Sequence, residues 1–395
     1  MPTQITTFEG FIKHILKLVF WVVLLLPLVI LPLYYVVYTF LGINLLDVFS
    51  LATTKPDKFI ALQLQLITTE PVKSLFQFST FPGFTFAAVF STIFMIWVER
   101  KFIAKMQLRV GPQYAGRFEG ILQNFADLFK LLFKEIIVPD EADKAVFFAV
   151  PLAMMFITGS LLSLVPLGPT TVLADPPIGA IFVFAIIGFT PLVVMLAGWA
   201  SNNKYSFLGA LRALHQMVAY EIPLLLSVVG IVLLSGSLDL MKIVTAQSGI
   251  WFIVLQPVGA IVFFICMLAE LERIPFDLPE ADSELVAGWQ TEYSGMAFGI
   301  FQLATYIKFY ALAGIFTTFF LGGWYGPSPL PPEAWFLLKT FFVMIAMMVP
   351  RAVMPRVTIA TLLRGGWTRL MFLTFLNLFV AMIIVSLGLY HVGGI

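Results

Sequence analysis

The chain has 395 residues, of which 60% are hydrophobic and only 11% charged, with a net charge of +1 and a mean hydropathy of +0.97. A soluble domain carries about 25% charged residues, so the composition excludes a soluble enzyme and indicates a polytopic membrane protein, with no basis for nucleic-acid binding. One cysteine, Cys266, and three histidines exclude an intrachain disulfide, a cysteine-held cluster and a dedicated metal or haem site, so redox chemistry here must use a diffusible substrate or a partner's cofactors.

Residues 17–41 are apolar for more than a membrane's width, with Pro27 and Pro32 inside, and read as a kinked spanning helix rather than a signal peptide. Residues 42–81 carry Lys55, Asp57, Lys58, Glu70 and Lys73 and read as an exposed connection. Residues 82–98 form a second span that ends abruptly at Glu99-Arg100-Lys101. From Phe118 to Ile136 apolar residues recur at helical spacing, with Glu119, Gln123, Asp127, Lys130 and Lys134 on the other face, which predicts an amphipathic helix in the membrane interface. Further spans are predicted over residues 145–165, 178–198, 217–234, 251–268, 295–321, 335–349 and 370–389. The expected fold is therefore all-α, with about nine transmembrane helices.

Between the spans at 251–268 and 295–321 lies the densest charge in the chain. Glu270, Glu272, Asp277, Glu280, Asp282, Glu284 and Glu292, about a third of its 22 acids, stand there against Arg273 alone. Pro275 and Pro279 break any continuous helix, so these carboxylates lie on irregular backbone that can fold into a protein pocket. A plain solvated loop is the alternative. The basic loops (Arg100 to Arg117; Lys204 and Arg212; Arg351 to Arg369) fall on the same side as this acidic loop. They predict a cytoplasmic N-terminus and an outside C-terminus in a cell (inner) membrane.

The wording of the loops points further. ERKFIAKMQLRVGPQYAGRFEGILQNFADLFKLLFKE (residues 99–135), GWASNNKYSFLGALRALHQMVAYEIPLLLS (198–227), AELERIPFDLPEADSELVAGWQTEYSGM (269–296), FLGGWYGP (320–327) and PRAVMPR (350–356) resemble, in the same order, the matching blocks of the H-type membrane component of respiratory complex I, called ND-one in mitochondria. The resemblance covers about residues 82–389, and five ordered blocks make it specific. It implies an eight-helix domain over 82–395, preceded by an N-terminal extension, 1–81, with one extra helix. It also implies a component that forms a quinone chamber with peripheral-arm subunits and adjacent small membrane subunits, and couples quinone reduction to proton translocation. Quinone is then the substrate, no cofactor or metal is bound by this chain, and iron–sulfur clusters belong to partners. Carried over by position, Glu99, Arg100, Arg109, Asp127, Lys130, Arg273 and Asp277 line the chamber, and Glu221, Glu270, Glu280, Glu284, Glu292 and Tyr293 serve proton transfer and coupling.

Physical chemistry supports parts of this reading. Reducing a quinone consumes two protons, which calls for titratable groups near water or a relay. Crowded carboxylates at a membrane boundary can exchange protons near neutral pH. Plainer roles stand beside these: Glu221 as a structural hydrogen-bond partner of Arg212 or His215, Asp127 and Lys130 as a surface pair three residues apart, Arg273 as a neutraliser of its neighbours. The chain also departs from the family. Thr305 and Ala360 stand where acids are usual, Gly188 replaces a carboxylate common in bacterial members, and Glu272 is an additional acid. The equivalent membrane component of a membrane-bound hydrogenase or formate hydrogenlyase, a purely structural anchor and a free-standing ion transporter are the alternatives, the last predicting an internal repeat that is not visible.

Overall fold

A computed structural model describes residues 81–116, 120–169, 172–279, 282–327 and 330–387. The predicted first span at 17–41, its connection as far as residue 80, and Glu280 lie outside these residues. The described residues are all helical or irregular. In chain order the helices are α1 (Phe81–Met106), α2 (Gln123–Phe133), α3 (Lys144–Ser163), α4 (Gly179–Ala200), α5 (Lys204–Ser235), α6 (Leu240–Ala246), α7 (Phe252–Leu255), α8 (Pro257–Glu270), α9 (Asp282–Leu285), α10 (Gly295–Phe320), α11 (Pro332–Val353), α12 (Ile359–Arg364) and α13 (Met371–Ser386). A 3₁₀ turn, Gly288–Gln290, follows α9, and a π turn, Gly365–Leu370, joins α12 to α13.

Among the described residues six helical stretches are long and apolar enough to cross a membrane: α3, α4, α5, α10, α11 and the continuous run Ile359–Ser386. The predicted spans at 82–98 and 251–268 correspond to α1 and to the pair α7–α8. The second of these is broken, because Pro257 has no amide hydrogen and pushes Gln256 out of helical geometry, to φ −132° and ψ 62°. Polar groups at such a break need partners inside the protein. The buried Gln256 side chain accepts from Asn377 Nδ2 at 3.2 Å, and Asn377 Oδ1 accepts from the Gly259 amide at 3.0 Å, which fastens α13 to α8.

α5 and α10 organise the bundle. α5 packs against α4, α8 and α13, and α10 against α3, α11, α2 and α1. Phe263, Phe316, Phe319 and Phe320 are among the rings that fill one apolar core, and Phe147, Trp289, Tyr293 and Phe301 belong to another. Asp143 and Asn203 cap the first turns of α3 and α5 through their side-chain oxygens. Gly236 in the left-handed region stops α5.

Two predicted boundaries shift. α5 begins at Lys204, thirteen residues before the predicted span at 217, and its 32 residues extend over about 48 Å at 1.5 Å each. The amphipathic helix is shorter than its periodicity suggests, with helical geometry over Gln123–Phe133. Leu122, Phe129 and Phe133 are exposed at this helix, while Phe125 and Leu132 are half-buried where it packs against α10 and α1, so its apolar face is covered only in part among the described residues.

Candidate functional site

The acidic loop lies along the extension of α5. Successive turns of that helix hold it: Ser206 Oγ donates to the Trp289 carbonyl at 3.0 Å, Gln216 Nε2 donates to the Ala269 carbonyl at 2.7 Å, and the Tyr220 ring meets Phe276 at 5.3 Å. Gly209 lets the Gly288–Trp289 backbone approach so closely that a β-carbon there would sit 2.7 Å from it. The residues 206, 209, 213, 216 and 220 share one helical face, which explains why the helix continues past the membrane-length segment.

At the loop's inner end Glu99, buried at the end of the apolar part of α1, accepts hydrogen bonds from both Arg273 and Arg351. Arg273 also lies over the rings of Tyr306 and Phe309, at 4.9 and 4.4 Å from their centres. One carboxylate thus holds together α1, the loop and α11 while an aromatic wall screens the charge from water. Beside it Asp277 pairs with Arg356 at 2.9 Å. A polar cavity of about 80 Å³ opens here, lined by Glu272, Arg273, Asp277, Gln302, Thr305, Tyr306 and Arg351 among others.

Deeper in the bundle, Lys308 of α10 donates to the Glu270 carboxylate at 2.7 Å and to its backbone carbonyl at 2.9 Å, with both side chains buried. Glu221 of α5 lies within electrostatic reach of this pair. Its Oε1 occupies the space beside Gly188, where a β-carbon would sit 2.6 Å away. Arg273, the buried Glu270–Lys308 pair and the half-buried Glu221 therefore form a polar series leading from the cavity to α5.

The remaining predicted residues are dispersed along the same end. Arg100 pairs with Asp127 at 2.6 Å, and Gln123 donates to the other Asp127 oxygen at 3.0 Å. Asp127 thus joins α2 to α1, not to Lys130, which stays exposed. Arg109 donates to Gln107 at 2.8 Å and is exposed. Glu284 accepts from Arg212 at the surface, and His215 Nδ1 faces the Leu211 carbonyl at 2.7 Å, so neither Arg212 nor His215 is the partner of Glu221. Glu292 accepts from Asn203 Nδ2 at 2.5 Å. Tyr293 stacks on Phe147 at 4.1 Å and abuts Phe301, and burial pushes its phenol above the ordinary tyrosine range. Glu292 also lines a larger cleft of about 520 Å³ with Asp140, Glu141, Ser201, Asn202, Asn203 and Lys204. That lining is polar and suits a protein surface better than a greasy substrate.

Three functional candidates escape a reading of the sequence. Arg351 and Arg356 count there only as orientation charges, and Lys308 passes unnoticed inside an apolar run. The last had a usable signal, since a lysine within a spanning segment marks a site by default. Its partner, 38 residues away, is set by packing alone. Among the described residues no group of three or more His, Cys, Asp or Glu side chains is placed to hold a metal ion.

Long apolar helices around buried ion pairs, with charged loops gathered at one end, define a multi-pass membrane protein built for an assembly. Comparison with known proteins specifies which. Residues 80–382 match the family model described as NADH dehydrogenase. The H chain of the NADH-quinone oxidoreductase of Dehalococcoides mccartyi (strain ATCC BAA-2266 / KCTC 15142 / 195) is 44% identical over 290 residues, 73% of this chain and 81% of the relative. Its counterparts in Anoxybacillus flavithermus (strain DSM 21510 / WK1) and Bacillus thuringiensis subsp. konkukian (strain 97-27) are each 44% identical, over 74% and 76% of this chain and 89% and 92% of their own lengths. The chain belongs to the NADH dehydrogenase family, as the H-type membrane component of NADH-quinone oxidoreductase, complex I.

Proposed function

We propose that this chain forms the membrane-side wall of a quinone chamber and passes the redox step at that chamber to proton translocation. The observation that carries the reading is the double guanidinium clamp on buried Glu99, at the mouth of a polar cavity and in series with Glu270, Lys308 and Glu221. A ligand pocket measures about 300–1,000 Å³, so a cavity of about 80 Å³ accepts no quinone by itself. The other walls come from peripheral-arm subunits and adjacent small membrane subunits, which also hold the iron–sulfur clusters that deliver electrons. Glu99, Arg273, Asp277, Arg100, Asp127, Lys130 and Arg109 face or frame that chamber. Glu221, Glu270, Glu280, Glu284, Glu292 and Tyr293 lie on the proton side. The charged end faces the cytoplasm, and residues 1–81 are an extension to the domain at 82–395. The relatives' name, NADH-quinone oxidoreductase, favours quinone chemistry over a hydrogenase role.

The test separates coupling from architecture. Glu270→Gln keeps shape and hydrogen-bonding capacity but removes the titrating charge. The expected result is an assembled complex whose quinone-linked proton pumping falls by at least about tenfold, somewhat below the usual range for a lost acid–base group. Normal assembly and normal pumping with Gln at 270, 280 and 284 together overturns the coupling role.

A further inference from the structure

We infer that the π turn between α12 and α13 builds a binding site for the phosphate of an anionic phospholipid headgroup. Residues five apart on an α-helix point about 140° away from one another, since each residue turns by about 100°. A π turn bonds i to i+5 and brings such residues to the same side. The turn Gly365–Leu370 does this for Arg364 and Arg369, which line one cavity of about 190 Å³ with Ala360, Thr361 and Gly365. That volume equals about six waters, enough for a phosphate group with part of its hydration. The lining holds no acid, and neither arginine pairs with an acid among the described residues. Arginines that merely bias orientation have no reason to converge on one cavity. Two planar guanidinium forks beside one cavity suit a phosphate better than point charges do.

The surroundings select a lipid as the source of that phosphate. The cavity lies at the charged end of the bundle, where the Tyr220 hydroxyl donates to the Leu362 carbonyl at 3.0 Å. Trp367, exposed beside the arginines, has the amphipathic character of residues at headgroup level. On α13, which continues from the turn, Phe372, Phe375 and Phe379 form an exposed apolar stripe at helical spacing, which suits acyl chains. A headgroup in the cavity thus has its tails beside this stripe.

The experiment uses the whole purified complex, delipidated in detergent and titrated with phosphatidylglycerol or phosphatidylcholine, with bound lipid and subunit content read by native mass spectrometry. At about tenfold per 1.4 kcal/mol and roughly 1 kcal/mol per basic residue at a headgroup, Arg364→Gln/Arg369→Gln is expected to weaken binding of one phosphatidylglycerol by about thirtyfold and to leave phosphatidylcholine unchanged. Inorganic phosphate at millimolar concentration is expected not to displace the lipid. Where the double glutamine variant fails to assemble, Arg364→Lys/Arg369→Lys keeps both charges and loses the forks, and a several-fold weakening is expected. Equal phosphatidylglycerol binding by variant and parent overturns the proposal. Displacement by inorganic phosphate overturns the lipid source, and loss of a neighbouring subunit with unchanged lipid content overturns it too, assigning the arginines to an acidic protein segment instead.

Discussion

Glu99 and Glu284 both accept from an arginine, and their surroundings make the two pairs energetically different. Glu284 and Arg212 are exposed enough for water and salt to screen them, and such pairs contribute about 0–1 kcal/mol. Glu284→Gln is therefore expected to lower the melting temperature of the complex by no more than a degree or two, with the difference vanishing at high salt. Glu99 is buried, and Glu99→Gln strands the buried Arg273 guanidinium, a loss on the order of 3–5 kcal/mol, while the half-exposed Arg351 can turn to water. Thermal unfolding of the two variants at two salt concentrations checks this contrast. Conventional ion-pair reasoning from sequence could not rank these acids. Both stand in charged segments, and only packing decides which one loses its water. The same holds for Glu270, whose place in the acidic loop is legible while its partner Lys308 is not.

At the scale of the helix, α4 and α5 meet at a site that periodicity alone does not reveal. The Glu221 carboxyl occupies the space left by Gly188, so a methyl group at that position collides with Oε1 unless the carboxyl moves. Gly188→Ala is expected to leave the bundle assembled, since the clash is with a flexible side-chain end rather than backbone, and to lower proton pumping several-fold by displacing Glu221. Pumping measured in reconstituted vesicles checks it, and unchanged pumping denies Glu221 a role that depends on its position. The long helices were legible from apolar length, because a membrane span needs little beyond about 20 apolar residues. The extension of α5 at its charged end was not. Its residues Lys204, Tyr205, Arg212 and His215 are polar enough to read as a loop, and they stay helical because the opposite face, at Ser206, Gly209 and Gln216, carries the acidic loop. The break at Gln256 had a visible signal in Pro257, which the apolar length of 251–268 outweighed in the reading as one span.

Across the whole molecule, charge is divided between two ends. Glu99, Arg100, Arg212, Arg273, Glu284 and Arg356 share one, and the turns after α3, α5 and α10 form the other. A reporter fused after Ile395 is expected to read as external, because the run Ile359–Ser386 leads from the charged end to the opposite one. A cytoplasmic signal from that reporter reverses the assignment. The quieter end also holds a buried cation. Lys339 of α11 donates to the carbonyls of Leu321, Gly323 and Tyr325, at 2.7, 3.1 and 2.5 Å, and its ammonium lies 4.3 Å from the centre of the Trp251 ring. Those carbonyls lie at and just beyond the last turn of α10, where the aligned peptide dipoles leave a negative pole, equivalent to about half an elementary charge. The positive pole of α10, at Gly295, lies next to Glu292 and the acidic loop. The helix that bears Lys308 is thus an electret held between opposite charges, with an internal field that points one way from the acidic loop to the buried ammonium of Lys339.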